Sequence, residues 1–350
     1  MFEERLNILS INISTVSKII RTNNSLREIV FRENMVTQQS QESEDNEYLA
    51  KLKESVPDER EWKIYDHCAV VTRLYAIYER FVEDLIADWL ETLPNIVTKY
   101  SDLEEKIKDT HRIGVGRLLL DLKKKRFEHL SINEVIQGLF NGVNDSEQYK
   151  LMPDAFLLHE QNLRREILDK LFADAGIPNA WVWVDKHRKV KRFIEDVRGG
   201  QNTAEGELKQ LITYRNDAAH GARVGNLLSA NELLELGNFV EVLCQSLVEL
   251  ITFQVISRQI EKGKAKKIGQ ITRWFEQPKA VRAKVKEITL SVGGKIFLVN
   301  EAASYCWLAT IESIKINDIS EEQVVIPDEQ EVGLKFDVDA KKGLSLYVIE

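Results

Sequence analysis

At residues 262–267 (Lys-Gly-Lys-Ala-Lys-Lys) the hydrophobic period of the chain changes, and no single fold type suits both sides of that break. Before it, apolar residues recur every three or four positions. They run through Leu6, Leu9, Ile13, Val16 and Ile20, through Val70, Leu74, Ile77, Phe81 and Leu85, and through Leu233, Leu236, Val240, Leu243 and Leu247. That spacing gives each segment one apolar helical face. After the break the pattern alternates in runs at 268–275, 280–288, 295–299, 306–316, 323–326, 332–337 and 344–349, separated by glycines and prolines. Short strands in that number leave edges to hide, and a closed barrel hides them. The prediction is an α+β multidomain chain: an all-α helical bundle over 1–263, then a small all-β barrel over 268–350.

Within the bundle the spacing predicts helices at 1–33, 61–93, 102–109, 112–127, 132–140, 154–175 and 185–197. The polar, acidic stretch 37–58 is expected to be an exposed loop. Asn202 with Glu205 and Ser229 with Glu232 are spaced as capping boxes. They open one helix that ends near Gly221 and another that runs to Glu261, and so short a connection predicts antiparallel packing. Trp181 and Trp183 are expected in the core. Gly114-Val-Gly116 follows no strand and lacks a third glycine, so it is no dinucleotide fingerprint.

Hydrophobic content of 43% and charged content of 30% are those of a soluble globular protein. No apolar run approaches the ~20 residues of a membrane span, and the N-terminus lacks a basic stretch followed by an apolar one. Cys68, Cys244 and Cys306 are scattered, which argues against a disulfide framework or a zinc site and for a reducing, cytoplasmic setting. A net charge of −8 does not favour nucleic acid globally. Basic clusters at 123–126, 186–192 and 262–267 are the local exceptions, and Lys186, Arg188, Lys189, Lys191 and Arg192 are the preferred contacts for an RNA backbone.

The function is best sought in residues 213–221, Thr-Tyr-Arg-Asn-Asp-Ala-Ala-His-Gly. On a helix Asn216 and His220 share a face and Arg215 lies at its edge, while Ala218 and Ala219 leave room beside them. Gly221 is placed to end the helix. An imidazole that titrates near neutrality can move a proton, and a guanidinium can hold the charge of a phosphorane. This motif resembles that of the HEPN superfamily, all-helical domains marked by Arg, a polar residue, a few spacers and His. The resemblance implies a metal-independent endoribonuclease of a bacterial toxin or anti-phage system, with no cofactor. Arg215, Asn216 and His220 would be its catalytic residues, and two paired subunits would form one cleft. It also makes Glu79, on the long helix that packs beside the motif in such domains, a supporting residue. RNA, a second copy of the chain, and an antitoxin or defence partner are the expected partners, with no membrane. The alternative is a non-catalytic HEPN adaptor that binds RNA, nucleotide or protein through the same cleft.

The tail resembles domain II of elongation factor Tu. The marks are Ile268-Gly-Gln-Ile271, Leu290-Ser-Val-Gly293, Ile311-Glu-Ser-Ile314, Val332-Gly-Leu334, and Lys342-Gly343 with Leu346-Tyr347. It departs at Gly294, where that family usually has Asp, and no phosphate-binding loop of a GTPase is present. This resemblance implies tRNA or another translation-associated RNA as the substrate.

Overall fold

The computed structural model describes residues 2–31, 51–145, 149–159, 161–219 and 225–349. His220, Gly221 and the stretch 37–50 lie outside the described residues. The helices are α1 (Glu3–Phe31), α2 (Glu59–Ile96), α3 (Glu105–Asp121), α4 (Ile132–Val143), α5 (Pro153–Phe156), α6 (Arg165–Asp174), α7 (Ala180–Lys186), α8 (Arg188–Asp196), α9 (Ala204–Ala219) and α10 (Ala230–Glu261). Residues 51–55 are also helical, where an extended polar loop is predicted.

Two ion-pair clasps fix α1 antiparallel to α2. Arg5 reaches Asp88 at 2.7 Å and Asp84 at 3.0 Å, and toward the other end Arg27 pairs with Asp66 while Asn23 donates to Asp66 over 2.7 Å. Between them Leu9, Ile13 and Ile20 meet a fully buried stripe on α2 that includes Val71, Leu74, Val82, Leu85 and Trp89. On α10, Leu243, Leu247 and Ile251 are fully buried within the same core. That helix is apolar and long enough to resemble a membrane span by composition, yet 72% of its apolar window is buried inside the fold. It is the core helix of the bundle.

Local signals were followed where the chain stabilises itself locally. Ser229 and Glu232 form the predicted capping box of α10, and Trp181 and Trp183 are core residues at 1% and 7% exposure. The predicted start of α9 shifts by one: Thr203 Oγ1 accepts from the Gly206 amide at 3.0 Å, while Asn202 turns its amide to Glu207. The predicted 154–175 helix is two, because residues 157–159 and 161–163 leave helical geometry and Leu163 bonds with α2. The predicted pair at 102–109 and 112–127 is a single α3 flanked by short 3-10 turns. The motif helix α9 rests chiefly on α2 and touches α10 only lightly, because α10 is already surrounded by α1, α2, α7, α8 and the barrel.

Helix α10 ends in a tight turn. Gly263, at φ +68°, donates to Ile260 and Lys264 donates to Gln259, the paired bonds of a Schellman stop. Strand β1 (Ala265–Phe275) begins one residue later, so the period change marks a hinge-free junction. It is followed by β2 (Ala280–Val285), β3 (Ile288–Ser291), β4 (Lys295–Asn300), β5 (Tyr305–Ile316), β6 (Ile319–Glu321), β7 (Gln323–Ile326), β8 (Gln330–Phe336) and β9 (Ser345–Ile349). Antiparallel pairing in the order β4-β9-β1-β2-β8-β5 returns to β4, which closes a six-stranded barrel. The predicted 280–288 strand breaks at Glu287, whose φ of +52° turns the chain into β3. Asn317 and Asp318, both at positive φ, make the two-residue hairpin that adds β6.

Candidate functional site

Arg215 and Asn216 sit half-buried on the last turn of α9. The Arg215 guanidinium lies 5.2 Å from the centroid of the Tyr75 ring, and its Nη1 donates to Asn216 Oδ1 over 3.1 Å. Asn162 Nδ2 donates to the same oxygen, also at 3.1 Å. With its carbonyl oxygen engaged twice, Asn216 keeps its own amide hydrogens for another acceptor.

Asn162 is brought there by a close helix crossing. A Cβ on Gly114 would fall 2.1 Å from the carbonyl oxygen of Ala155, so α5 crosses α3 at a point where only glycine fits. The chain leaving α5 then runs along α2. Leu163 donates its amide to the Tyr75 hydroxyl at 3.0 Å and accepts from the Tyr78 hydroxyl at 3.0 Å. Tyr75 in turn donates to Glu79 over 2.8 Å. Burial pushes the Tyr75 hydroxyl well above its ordinary pKa, so it stays a donor. Glu79 is thus connected to Arg215 through the Tyr75 ring.

Asn216 also lines a groove of about 330 Å³ between α9 and the start of α6. Arg164, Arg165 and Lys209 bring positive charge to it, and Thr213 a hydroxyl. Arg165 is tied to Glu205, whereas Arg164 and Lys209 are exposed and have no ion-pair partner among the described residues. Lys209, Thr213 and Asn216 follow one another at helical spacing, a stripe that the sequence displays and that the motif-centred reading passed over. Arg164 carried no such signal, because its position depends on the irregular path of residues 161–163.

Two further imidazoles flank the motif. His159 Nε2 lies 3.1 Å from Glu83 Oε1, and that carboxylate raises the His159 pKa. His67, 1% exposed on α2, packs edge-on against Tyr214 at 5.4 Å and accepts from the Leu228 amide at 3.3 Å. Burial lowers its pKa, with Asp217 opposing. His67 therefore ties down the chain on both sides of residue 220. His220 itself, the proposed proton carrier, lies outside the described residues.

The basic residues of the 186–192 cluster go elsewhere. Arg188 stacks on Tyr305, Lys189 donates to Gln245 at 2.7 Å, Arg192 lies 3.9 Å from Asp196, and Lys186 is exposed. Arg188, Lys189, Lys191 and Arg192 line a cavity against the barrel, not the groove at Asn216. All three cysteines are free thiols. Among the described residues no three His, Cys, Asp or Glu side chains cluster to hold a metal.

No curated protein and no solved structure matches the chain. A family model does match, ending within α10 and leaving the barrel outside its span. That model, described as RiboL-PSP-HEPN, covers residues 39–252, more than half of the 350, and the chain belongs to this family.

Proposed function

We propose that the chain is a metal-independent endoribonuclease of a toxin or antiviral defence system, acting as a cytoplasmic homodimer. The observation that carries this reading is the doubly held Asn216 oxygen. It aligns Arg215 with an amide at the mouth of a groove to which Arg164 and Lys209 supply exposed cations. A phosphodiester following the groove would meet Asn216 Nδ2 and the free N–H groups of Arg215.

In the reaction the 2′-oxygen forms a bond to phosphorus as its proton passes to one His220 imidazole. The P–O5′ bond breaks as the second subunit's copy of that imidazole protonates the leaving oxygen. The products are a 2′,3′-cyclic phosphate and a 5′-OH, and Arg215 holds the charge of the phosphorane between them. The resemblance of β5 and β8 to strands of elongation factor Tu domain II supports translation-associated RNA as the substrate. Their motifs are neighbours in the barrel, Ile314 facing Leu334.

The alternative, an adaptor that binds RNA without cutting it, draws on the stacking of Arg215 over Tyr75, which gives that residue a structural use. Incubation with total RNA in EDTA, followed by sequencing of the new ends, separates the two. Cleavage that disappears in both Arg215→Ala and His220→Ala supports the nuclease. Undiminished cleavage in both variants refutes the assignment, and retained RNA binding with no cleavage by the wild type selects the adaptor.

A further inference from the structure

A second cavity, of about 760 Å³, lies between α8 and the barrel and shares no lining residue with the Asn216 groove. Its cations outnumber the acids free to answer them. Lys191 and Lys341 are exposed and have no ion-pair partner among the described residues, and Lys189 is bound to a neutral amide. Of the three lining acids, Asp337 accepts from the Thr310 amide at 2.8 Å and Asp339 lies 3.5 Å from Lys279, which leaves the exposed Glu195 to face Lys189, Lys191 and Lys341.

The barrel wall is aromatic. Trp307 is half-buried and lines the cavity beside Tyr305. The Arg188 guanidinium carbon lies 3.8 Å above the Tyr305 ring centroid, which fixes a planar cation at the mouth. Tyr305 is 2% exposed, and among the described residues its hydroxyl hydrogen has no acceptor. Burial pushes that hydroxyl up to about 12, so it remains a donor at neutral pH. Buried polar groups nearly always find a partner, and an orphan that lines a cavity points to a ligand atom.

We propose that this cavity binds a nucleoside phosphate, free or as one residue of an RNA strand. Lys191, Lys341 and Arg188 receive the phosphate, Trp307 receives the face of the base, and the Tyr305 hydroxyl donates to the sugar or base. Exposed cations beside a half-buried indole suit a ligand with both an anion and a π-face, which inorganic phosphate lacks.

The test titrates the full-length His220→Ala chain, so that RNA stays uncut, with ADP, with inorganic phosphate and with a short single-stranded RNA. Indole fluorescence and calorimetry report binding. Saturable binding of ADP that weakens about tenfold in Lys191→Glu/Lys341→Glu, and comparably in Trp307→Ala, upholds the site with a free nucleotide. The same sensitivities with RNA alone uphold it with a strand residue. Trp307→Phe, which keeps a π-face and the barrel packing, should retain binding while losing the quench. Binding that none of these variants alters overturns the proposal, as does binding of phosphate as tight as that of ADP, or no binding at all. The readout is affinity in a chain without the motif imidazole, so a failure of the nuclease reading would leave this result standing.

Discussion

Asn162 and Asn216, 54 residues apart in the chain, are joined side chain to side chain, the amide of the first donating to the oxygen of the second over 3.1 Å. Because Arg215 donates to that same oxygen, the contact sets where the guanidinium can point. Asn162→Ala should therefore slow RNA cleavage without unfolding the chain. A lost neutral hydrogen bond is worth about 1 kcal/mol, or roughly fivefold in kcat/KM. Steady-state kinetics should place the loss in kcat, since the groove cations that bind the strand are untouched. An unchanged kcat would show that the contact is only structural.

The groove makes a separate prediction. Lys209→Ala and Arg164→Ala remove exposed cations that line the groove. Each should weaken RNA binding and lower the slope of log affinity against log salt by roughly one phosphate contact, about 0.7 for a single strand. Filter binding across a salt series on the His220→Ala chain measures this. A slope equal to that of the parent would take the strand out of this groove.

Gly114 and Gly116, two residues apart on α3, should respond in opposite ways to alanine. At Gly114 the new methyl would lie 2.1 Å from the Ala155 carbonyl oxygen, whereas at Gly116 it would meet nothing within 4 Å. Overpacking of the first kind costs about 1–3 kcal/mol, while alanine at an exposed helical position adds about 0.5–1 kcal/mol. Urea unfolding of both variants gives the comparison. Gly114→Ala should also lower cleavage, because the α3–α5 crossing directs the chain that brings Asn162 to Asn216. Equal midpoints for the two variants would mean that α5 yields more readily than the crossing implies.

Buried imidazoles give the fold an acid limit. His111 is fully buried, its Nε2 accepts from the Met152 amide at 3.2 Å, and its Nδ1 faces the Tyr100 hydroxyl at 3.2 Å. Burial lowers its pKa from 6.5 to about 4. A depressed imidazole stabilises the fold fully above its unfolded value, and the contribution fades as pH falls from 6.5 toward 4. The loss is about 3 kcal/mol over that window. His67, also lowered by burial, adds to the same trend. His159 acts oppositely: its raised pKa gives a contribution present below 6.5 that is lost as pH rises through the folded value. Stability of His111→Gln should accordingly be lower at pH 7 and flatter between pH 6.5 and about 4.5. Parallel curves for variant and wild type would contradict the assignment.

What the sequence revealed follows the range of the interactions involved. The change of period at 262–267 located the junction between bundle and barrel to within a few residues, because a Schellman stop and a first strand are both local events. The Ser229–Glu232 capping box was legible for the same reason. The non-helical path into Leu163 was not, since Leu163 is held by the hydroxyls of Tyr75 and Tyr78, more than eighty positions away. The Arg215–Asn216 pair could be read from its spacing, but Asn162, Tyr75 and Arg164 could not, because each reaches the site by a tertiary path. Glu79 was chosen as a neighbour of the motif helix, and the structure supplies the link through Tyr75. The α8 cations were chosen for proximity in sequence, and packing turned four of them toward the barrel.

One buried carboxylate bridges the bundle and the barrel. Glu249 of α10 is fully buried, and its Oε2 accepts from the Cys306 amide on β5 at 3.2 Å. Gln245 donates to its other oxygen at 3.3 Å, and His187 Nε2, also fully buried, lies 3.1 Å from that oxygen at an angle that misses a hydrogen bond. Around them Phe297, Val299 and Cys306 of the barrel belong to the same apolar core as α10. Glu249→Ala would leave the buried Cys306 amide without this acceptor and the Gln245 amide without its own, and an unsatisfied buried donor costs about 1–3 kcal/mol. Glu249→Gln keeps the shape and an acceptor for the Cys306 amide, so it should lose much less. Hydrogen exchange at Cys306 and along α10 distinguishes a local loosening of the interface from general unfolding. In Glu249→Ala the Cys306 amide should exchange far faster while amides in the centre of α2 stay protected. Equal protection in both variants would mean that the apolar contacts alone hold the barrel in place, and that the carboxylate is tolerated at the interface without organising it.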